Sequence, residues 1–389
     1  VIDLTRKALM KKILLSPGPV ALSPVVREQL GRSMTHHRSR EIIQVLARLQ
    51  SSLQKVFKTR EHIYILNSSG TGAMEAALTN TLTPQDEVLV ISAGKFGQRW
   101  KELSFAYCLT AHEIKVPWGT AVNVSTVKEK LKSHPQIKAV LVQACETSTA
   151  VNHPIKELAV LTKALPQTLL IVDAISALMM MDLDMDDDGI DILIGGSQKS
   201  FALPAGLSFL SLSKKAQEFQ KTSLLPSYYF NLQKEKSANK KGETSFSANV
   251  SFIRALDASL QDCLRQGFSK LRNKAKTLAT ATEQFARQLN LKLFSAAPSL
   301  TVTAITMPEN IDGDQVKKFM EEQNVIVGGG QDILKGKIIR FGHIGHIQYR
   351  DYAVALNIFG KALQKQKPEI YTEEILKTAQ EKAEEILNR

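Results

Sequence analysis

The stretch "GIDILIGGSQKSFALPAG", Gly189 to Gly206, decides how the chain is read. Its largely apolar run, Ile190 to Ile194, reads as a strand buried on both faces. The run stops at Gly195 and Gly196, and Lys199 follows three residues later. A lysine placed there meets a low dielectric. That disfavours the ammonium and leaves a free amine available as a nucleophile. Its other readings are a phosphate-binding lysine or an exposed one.

Working outward, the same scheme recurs. "HIYILNSSG" (62–70) is a strand ending in a glycine turn, and "TGAMEAALTNTL" (71–82) opens a helix. "DEVLVISAGKFGQRW" (86–100) repeats strand, glycine loop and helix. "IKAVLVQACETST" (137–149), "TLLIVDAISA" (168–177) and "GLSFLSLS" (206–213) supply further strands. Short apolar strands alternating with helices predict an α/β domain with a mostly parallel sheet covered on both faces. After about residue 250 the texture changes. One or two long helices break near Gly267, and the strands "TVTAITMP" and "GKIIRFGH" flank the helix "GDQVKKFMEEQN". This predicts a smaller α+β domain. The end, "TEEILKTAQEKAEEILNR", has the period of an amphipathic helix.

Composition narrows the classes. The chain has 389 residues, 43% hydrophobic and 23% charged, enough for two filled cores. No apolar run is long enough to span a bilayer. Three scattered cysteines fit neither a disulfide framework nor a zinc site, so no metal and a reducing cytoplasm are expected. The start, "VIDLTRKALMKKILLSPGP", lacks the long apolar core of a secretory leader, and "EILNR" is no retention address. The net charge of +12 is spread among acids. Its densest cluster, "QKEKSANKKGE" (233–243), has no aromatics and reads as a solvated loop, so nucleic acid is not an expected partner. The acidic run 181–191 lacks the glycine and terminal glutamate of a calcium loop and reads as a solvated turn.

In a parallel sheet the strand ends converge on one crevice. They present Ser68-Ser69-Gly70-Thr71-Gly72, Gly94-Lys95-Phe96-Gly97, Glu146-Thr147-Ser148-Thr149, Asp173 and Gly195-Gly196-Ser197-Gln198-Lys199. The small residues at a helix start suit a phosphate, although neither the Walker A pattern nor the dinucleotide fingerprint is present. A carboxylate at the end of "LLIVD" needs a cation or a donor. Together these features suit pyridoxal 5'-phosphate. The phosphate would lie on Gly70–Gly72, the ring against Phe96, the pyridinium on Asp173, and the aldehyde in a Schiff base with Lys199.

"VDAISAL" followed by "GIDILIGGSQKSFALPAG" resembles class V of the fold-type I pyridoxal-phosphate enzymes, nearest the alanine–glyoxylate and serine–pyruvate aminotransferases. The resemblance runs from "LLSPGPVALSPVVREQL" to "LKGKIIRFGHIGH". It implies a large domain (21–268) with a seven-stranded sheet, a small C-terminal domain (269–389), and an N-terminal extension (1–20) lining the site and a dimer interface. It makes Lys199 the Schiff-base lysine and proton shuttle, with Asp173 on the pyridinium. Ser69, Gly70, Thr71, Gly72 and Gln198 would bind phosphate. Phe96 would stack on the ring, and Thr147 would contact the ring hydroxyl or Asp173. Arg340 would hold the substrate carboxylate, and Gly18 would line the site. A partner subunit would add Thr244 and Ser247, from "ETSFSAN", in a homodimer. The implied activity is ping-pong transamination from alanine or serine to glyoxylate or pyruvate. The alternatives are a cysteine-desulfurase-like lyase, a nucleotide binder and a non-catalytic basic subunit.

Overall fold

Residues 12–388 are described in a computed structural model. The leader reading and the 1–20 extension lie outside the described residues as far as residue 11. In chain order the strands are β1 (Ile13–Leu15), β2 (Ile63–Leu66), β3 (Glu87–Ser92), β4 (Thr110–Lys115), β5 (Ala139–Gln143), β6 (Cys145–Glu146), β7 (Val151–Asn152), β8 (Leu169–Asp173), β9 (Ile192–Gly196), β10 (Ser208–Leu212), β11 (Val302–Thr306), β12 (Val325–Gly329) and β13 (Ile338–Gly342).

Seven strands form the large sheet, in the order β2-β10-β9-β8-β5-β3-β4. The pairs from β9 to β4 are parallel, and β10 runs antiparallel to both of its neighbours. Every residue of β5, β8 and β9 is buried. That explains their near-continuous apolar sequences, since both faces meet helices. On one face Leu170, Val172 and Leu193 pack with Ile42, Leu49 and Leu53 of the helix Arg40–Phe57. On the other, Leu169, Ile171 and Ile192 pack with Met74, Ala77 and Trp100. Each large apolar side chain so buried contributes roughly 1.5–3 kcal/mol.

β11, β12 and β13 form a second sheet with β1, which pairs in parallel with β12. This sheet carries its own core, centred on Phe341, Phe359 and Tyr352. The helices Val250–Gln266 and Phe268–Gln288 meet at Gly267, whose φ of +80° is open to glycine and strained for other residues. Lys95 Nζ pairs with Asp332 Oδ2 at 3.1 Å across the two units. Both side chains are partly exposed, so the pair is worth roughly 1 kcal/mol or less.

The structure corrects two expectations. The basic cluster 233–243 is mostly the helix Leu232–Asn239 rather than a solvated loop. Asn231 caps it, Leu232 is buried, and the buried Glu235 carboxylate accepts from Ser245 N at 2.9 Å and Asn239 Nδ2 at 2.9 Å. The acidic run 181–191 is tied down as well. Asp186 accepts from Thr59 Oγ1 and Arg60 N, and the buried Asp191 pairs with Lys215 Nζ at 3.1 Å. β1, β4, β7 and β12 are additional to the strands expected from periodicity.

Candidate active site

The carboxyl ends of β5, β8 and β9 open on a cavity of about 270 Å³. Ser69, Gly70, Thr71, Phe96, Thr147, Asp173, Gln198, Lys199 and Gly18 all line it. Nine of the expected site residues are therefore brought together. Arg340 reaches the same wall from β13, donating from Nη1 to Thr147 O at 2.7 Å and from Nε to Gly329 O at 2.9 Å.

Lys199 is 8% exposed, and its Nζ donates to Pro17 O at 2.6 Å. Burial lowers its pKa to about 8. Arg340 pushes in the same direction, while Cys145, Asp173 and Glu146 oppose it. Gly18 lies directly over the lysine: a Cβ there would stand 2.4 Å from Nζ. Asp173, 7% exposed, accepts from Ile175 N at 2.9 Å through Oδ1, and Oδ2 accepts no hydrogen bond from the described residues. Burial raises its pKa to about 6.

The turn before the helix Gly70–Thr79 is open to a ligand, because Ser69 makes no side-chain capping bond. A Cβ on Gly70 would run into the Ile175 side chain, so any other residue here needs Ile175 to move. Gly72 does not line the cavity. Its N–H donates to Ser69 O at 2.9 Å, and it packs against Ser68 and Phe230. Gln198 Oε1 is buried with no hydrogen-bond partner among the described residues.

Thr244 and Ser247 lie away from this chain's cavity. Thr244 Oγ1 donates to Phe246 O at 2.5 Å, and Ser247 O accepts from Asn67 Nδ2 at 2.8 Å.

Two residues are additions to the expected set. The fully buried Glu146 carboxylate accepts from Phe96 N at 3.0 Å, Gly97 N at 2.8 Å, Ser148 N at 3.1 Å and Ser148 Oγ at 2.5 Å. It caps the helix Lys95–Ala106 and fixes Phe96 in place; burial raises its pKa. Arg99 also lines the cavity, with its guanidinium 5.0 Å from the centre of the Phe96 ring. The spacing of three between Phe96 and Arg99 on a helix was the available signal.

These features fit pyridoxal phosphate. The glycine cradle and open helix start suit a phosphate, the free Asp173 Oδ2 suits a ring N–H, and Lys199 offers an amine. An α/β sheet of this order carrying such a crevice is the architecture of the fold-type I pyridoxal-phosphate aminotransferases. A crystal structure of an aspartate aminotransferase of subgroup IV from Thermus thermophilus is 28% identical and superposes with a TM-score of 0.84, covering 91% of this chain and 99% of that one.

The chain belongs to the class-V aminotransferase family, whose sequence profile matches residues 27–342. A protein named soluble hydrogenase, small subunit, from Synechococcus sp. is 36% identical over 354 residues, 89% of this chain and 91% of that one. The L-aspartate–glyoxylate aminotransferase of Paracoccus denitrificans is 32% identical over 340 residues, covering 85% and 86%.

Proposed function

We propose that the chain is a pyridoxal-phosphate-dependent transaminase that moves an amino group from a small amino acid, alanine or serine, to glyoxylate or pyruvate. The observation that carries this reading is the convergence of Lys199 and Asp173 on one cavity, with Arg340 hydrogen-bonded to its wall. The name of the Paracoccus relative supports glyoxylate as acceptor.

Lys199 would hold the cofactor aldehyde and Asp173 its ring nitrogen, with Phe96 and Thr147 beside the ring. Ser69, Gly70, Thr71 and Gln198 would take the phosphate. When bound, pyridoxal phosphate supplies an electron sink for the bonds at a substrate α-carbon. Lys199 Nζ takes the substrate α-proton and returns it, a role suited to an amine whose pKa lies near 8. Asp173, as a carboxylate, keeps a proton on the ring nitrogen. The Arg340 fork orients the substrate carboxylate, and Gly18 closes over the lysine and limits water. The same residues serve donor and acceptor in turn, so ping-pong kinetics are expected. The active unit is a homodimer in the cytoplasm, with Thr244 and Ser247 completing the partner's phosphate site.

Cys145 argues against a desulfurase. Among the described residues it is the one cysteine lining the cavity, its Sγ lies 3.1 Å from Ser299 Oγ, and burial pushes its pKa up to about 11. That thiol is a poor nucleophile.

The test is cofactor uptake followed by a donor and acceptor screen. The protein should take up pyridoxal phosphate with visible absorbance, borohydride should fix the label on Lys199, and alanine or serine should aminate glyoxylate or pyruvate. A protein that stays colourless and unlabelled overturns the reading.

A further inference from the structure

The residues assigned to the phosphate leave its charge unanswered. Ser69, Gly70, Thr71, Gln198, Thr244 and Ser247 are all neutral. A phosphate ester carries a charge of about −1.5 to −2 at pH 7. The partial charge of one helix start offsets only about half of one unit. A buried anion needs a full counter-charge or suffers a large desolvation penalty.

Among the described residues, two cationic side chains line the cavity, Lys199 and Arg99. Lys199 Nζ is engaged by Pro17 O. Arg99 stands at the phosphate end. Its Nη1 donates to Thr71 Oγ1 at 3.2 Å, within the turn that opens the helix Gly70–Thr79. Among the described residues, no carboxylate lies within ion-pair distance of Arg99. Arg99 is instead held by the Phe96 ring and a neutral hydroxyl, which position a guanidinium without neutralising it.

Resting on the cofactor reading above, we propose that Arg99 is the cation that binds the cofactor phosphate, with Thr71 and Phe96 as its positioning residues. The fork can keep one N–H on Thr71 and turn others to the phosphate oxygens. One side chain would then serve both ends of the cofactor, charge at the phosphate and packing at the ring, because Phe96 and Arg99 share a helix face. The same anion-binding chemistry could serve the distal carboxylate of a dicarboxylic substrate, and the experiment separates the two.

Cofactor-free wild type and Arg99→Gln are titrated with pyridoxal 5'-phosphate and with pyridoxal, followed by visible absorbance and tryptophan quenching. Circular dichroism and thermal melts check the fold. Loss of one charge-assisted contact should weaken pyridoxal phosphate binding by about 10- to 100-fold. Pyridoxal, lacking the phosphate, should bind both proteins within about 2-fold. Equal loss for both ligands overturns the proposal and makes Arg99 a shaping residue. Unchanged pyridoxal phosphate affinity with a raised KM for aspartate overturns it in favour of substrate recognition. If Arg99→Gln does not fold, Arg99→Lys is the test: several-fold weaker pyridoxal phosphate binding with unchanged pyridoxal supports the proposal, and no change overturns it. A wild type that binds neither ligand removes the transaminase reading itself, an outcome distinct from the others.

Discussion

Lys199 Nζ hydrogen-bonds the carbonyl oxygen of Pro17 at 2.6 Å, across 182 residues of sequence. The carbonyl accepts from the amine in either protonation state, so it aims Nζ without forcing a charge on it. Burial then sets the charge. The Lys199 pKa of about 8 predicts that the rate of acetic anhydride labelling at this residue, read by mass spectrometry on cofactor-free protein, rises with a midpoint near pH 8. An ordinary lysine has its midpoint near 10.4. Between these values the unfolded chain keeps a proton that the folded chain has released. Lys199's contribution to stability therefore rises with pH across that window. A labelling midpoint near 10.4 would contradict the buried-amine account.

Asp173→Asn should lose turnover yet stabilise the cofactor-free protein. The Asp173 pKa is raised from 3.8 to about 6, so the folded state binds more protons between those values. This group's contribution to stability falls as pH rises through the window and stays low above it. Asparagine keeps the acceptor for Ile175 N and carries no charge. Urea melts should show a gain at pH 7.5 of at most about 3 kcal/mol, from a shift of roughly two units, and little gain at pH 4. Equal effects at both pH values would refute the charging penalty.

Glu146→Gln should destabilise the protein by about 1–3 kcal/mol in chemical melts. Glu146 accepts from four donors, and an amide must turn an N–H₂ toward one pair of them. Because Phe96 N is one of those donors, cofactor affinity should fall in parallel. A variant as stable as wild type would show that the four bonds contribute little.

Arg340→Ala should raise KM for amino donors by about 10- to 100-fold, the loss of one charge-assisted contact. Arg340→Lys should recover little, because a point charge does not replace the planar fork. Unchanged KM with only a lowered melting temperature would make Arg340 a tie between Thr147 and Gly329 and nothing more.

Much of the fold was legible because β5, β8 and β9 are buried on both faces and so carry uninterrupted apolar runs. β4, "TAHEIK", was not, since it lies at the sheet edge with no buried residue and shows no apolar period. β1 has three residues and meets β12 only through tertiary pairing, which local pattern does not encode. The site divides in the same way. Lys199, Asp173 and the Gly70 turn stand at strand ends, where a polar residue interrupts an apolar run. Arg99 lies in a polar helix, where arginine is ordinary, and only its neighbours in space distinguish it. Glu146 was visible as a polar strand end, but its four donors come from two separate segments.

The strand β1 has a consequence for how the protein is made. Leu15 belongs to the core of the four-stranded sheet and Val20 to a core of the seven-stranded sheet, with the carbonyl that holds Lys199 between them. Its partner β12 leaves the ribosome roughly three hundred residues later. During synthesis this segment must therefore wait, unpaired, until β12 has emerged.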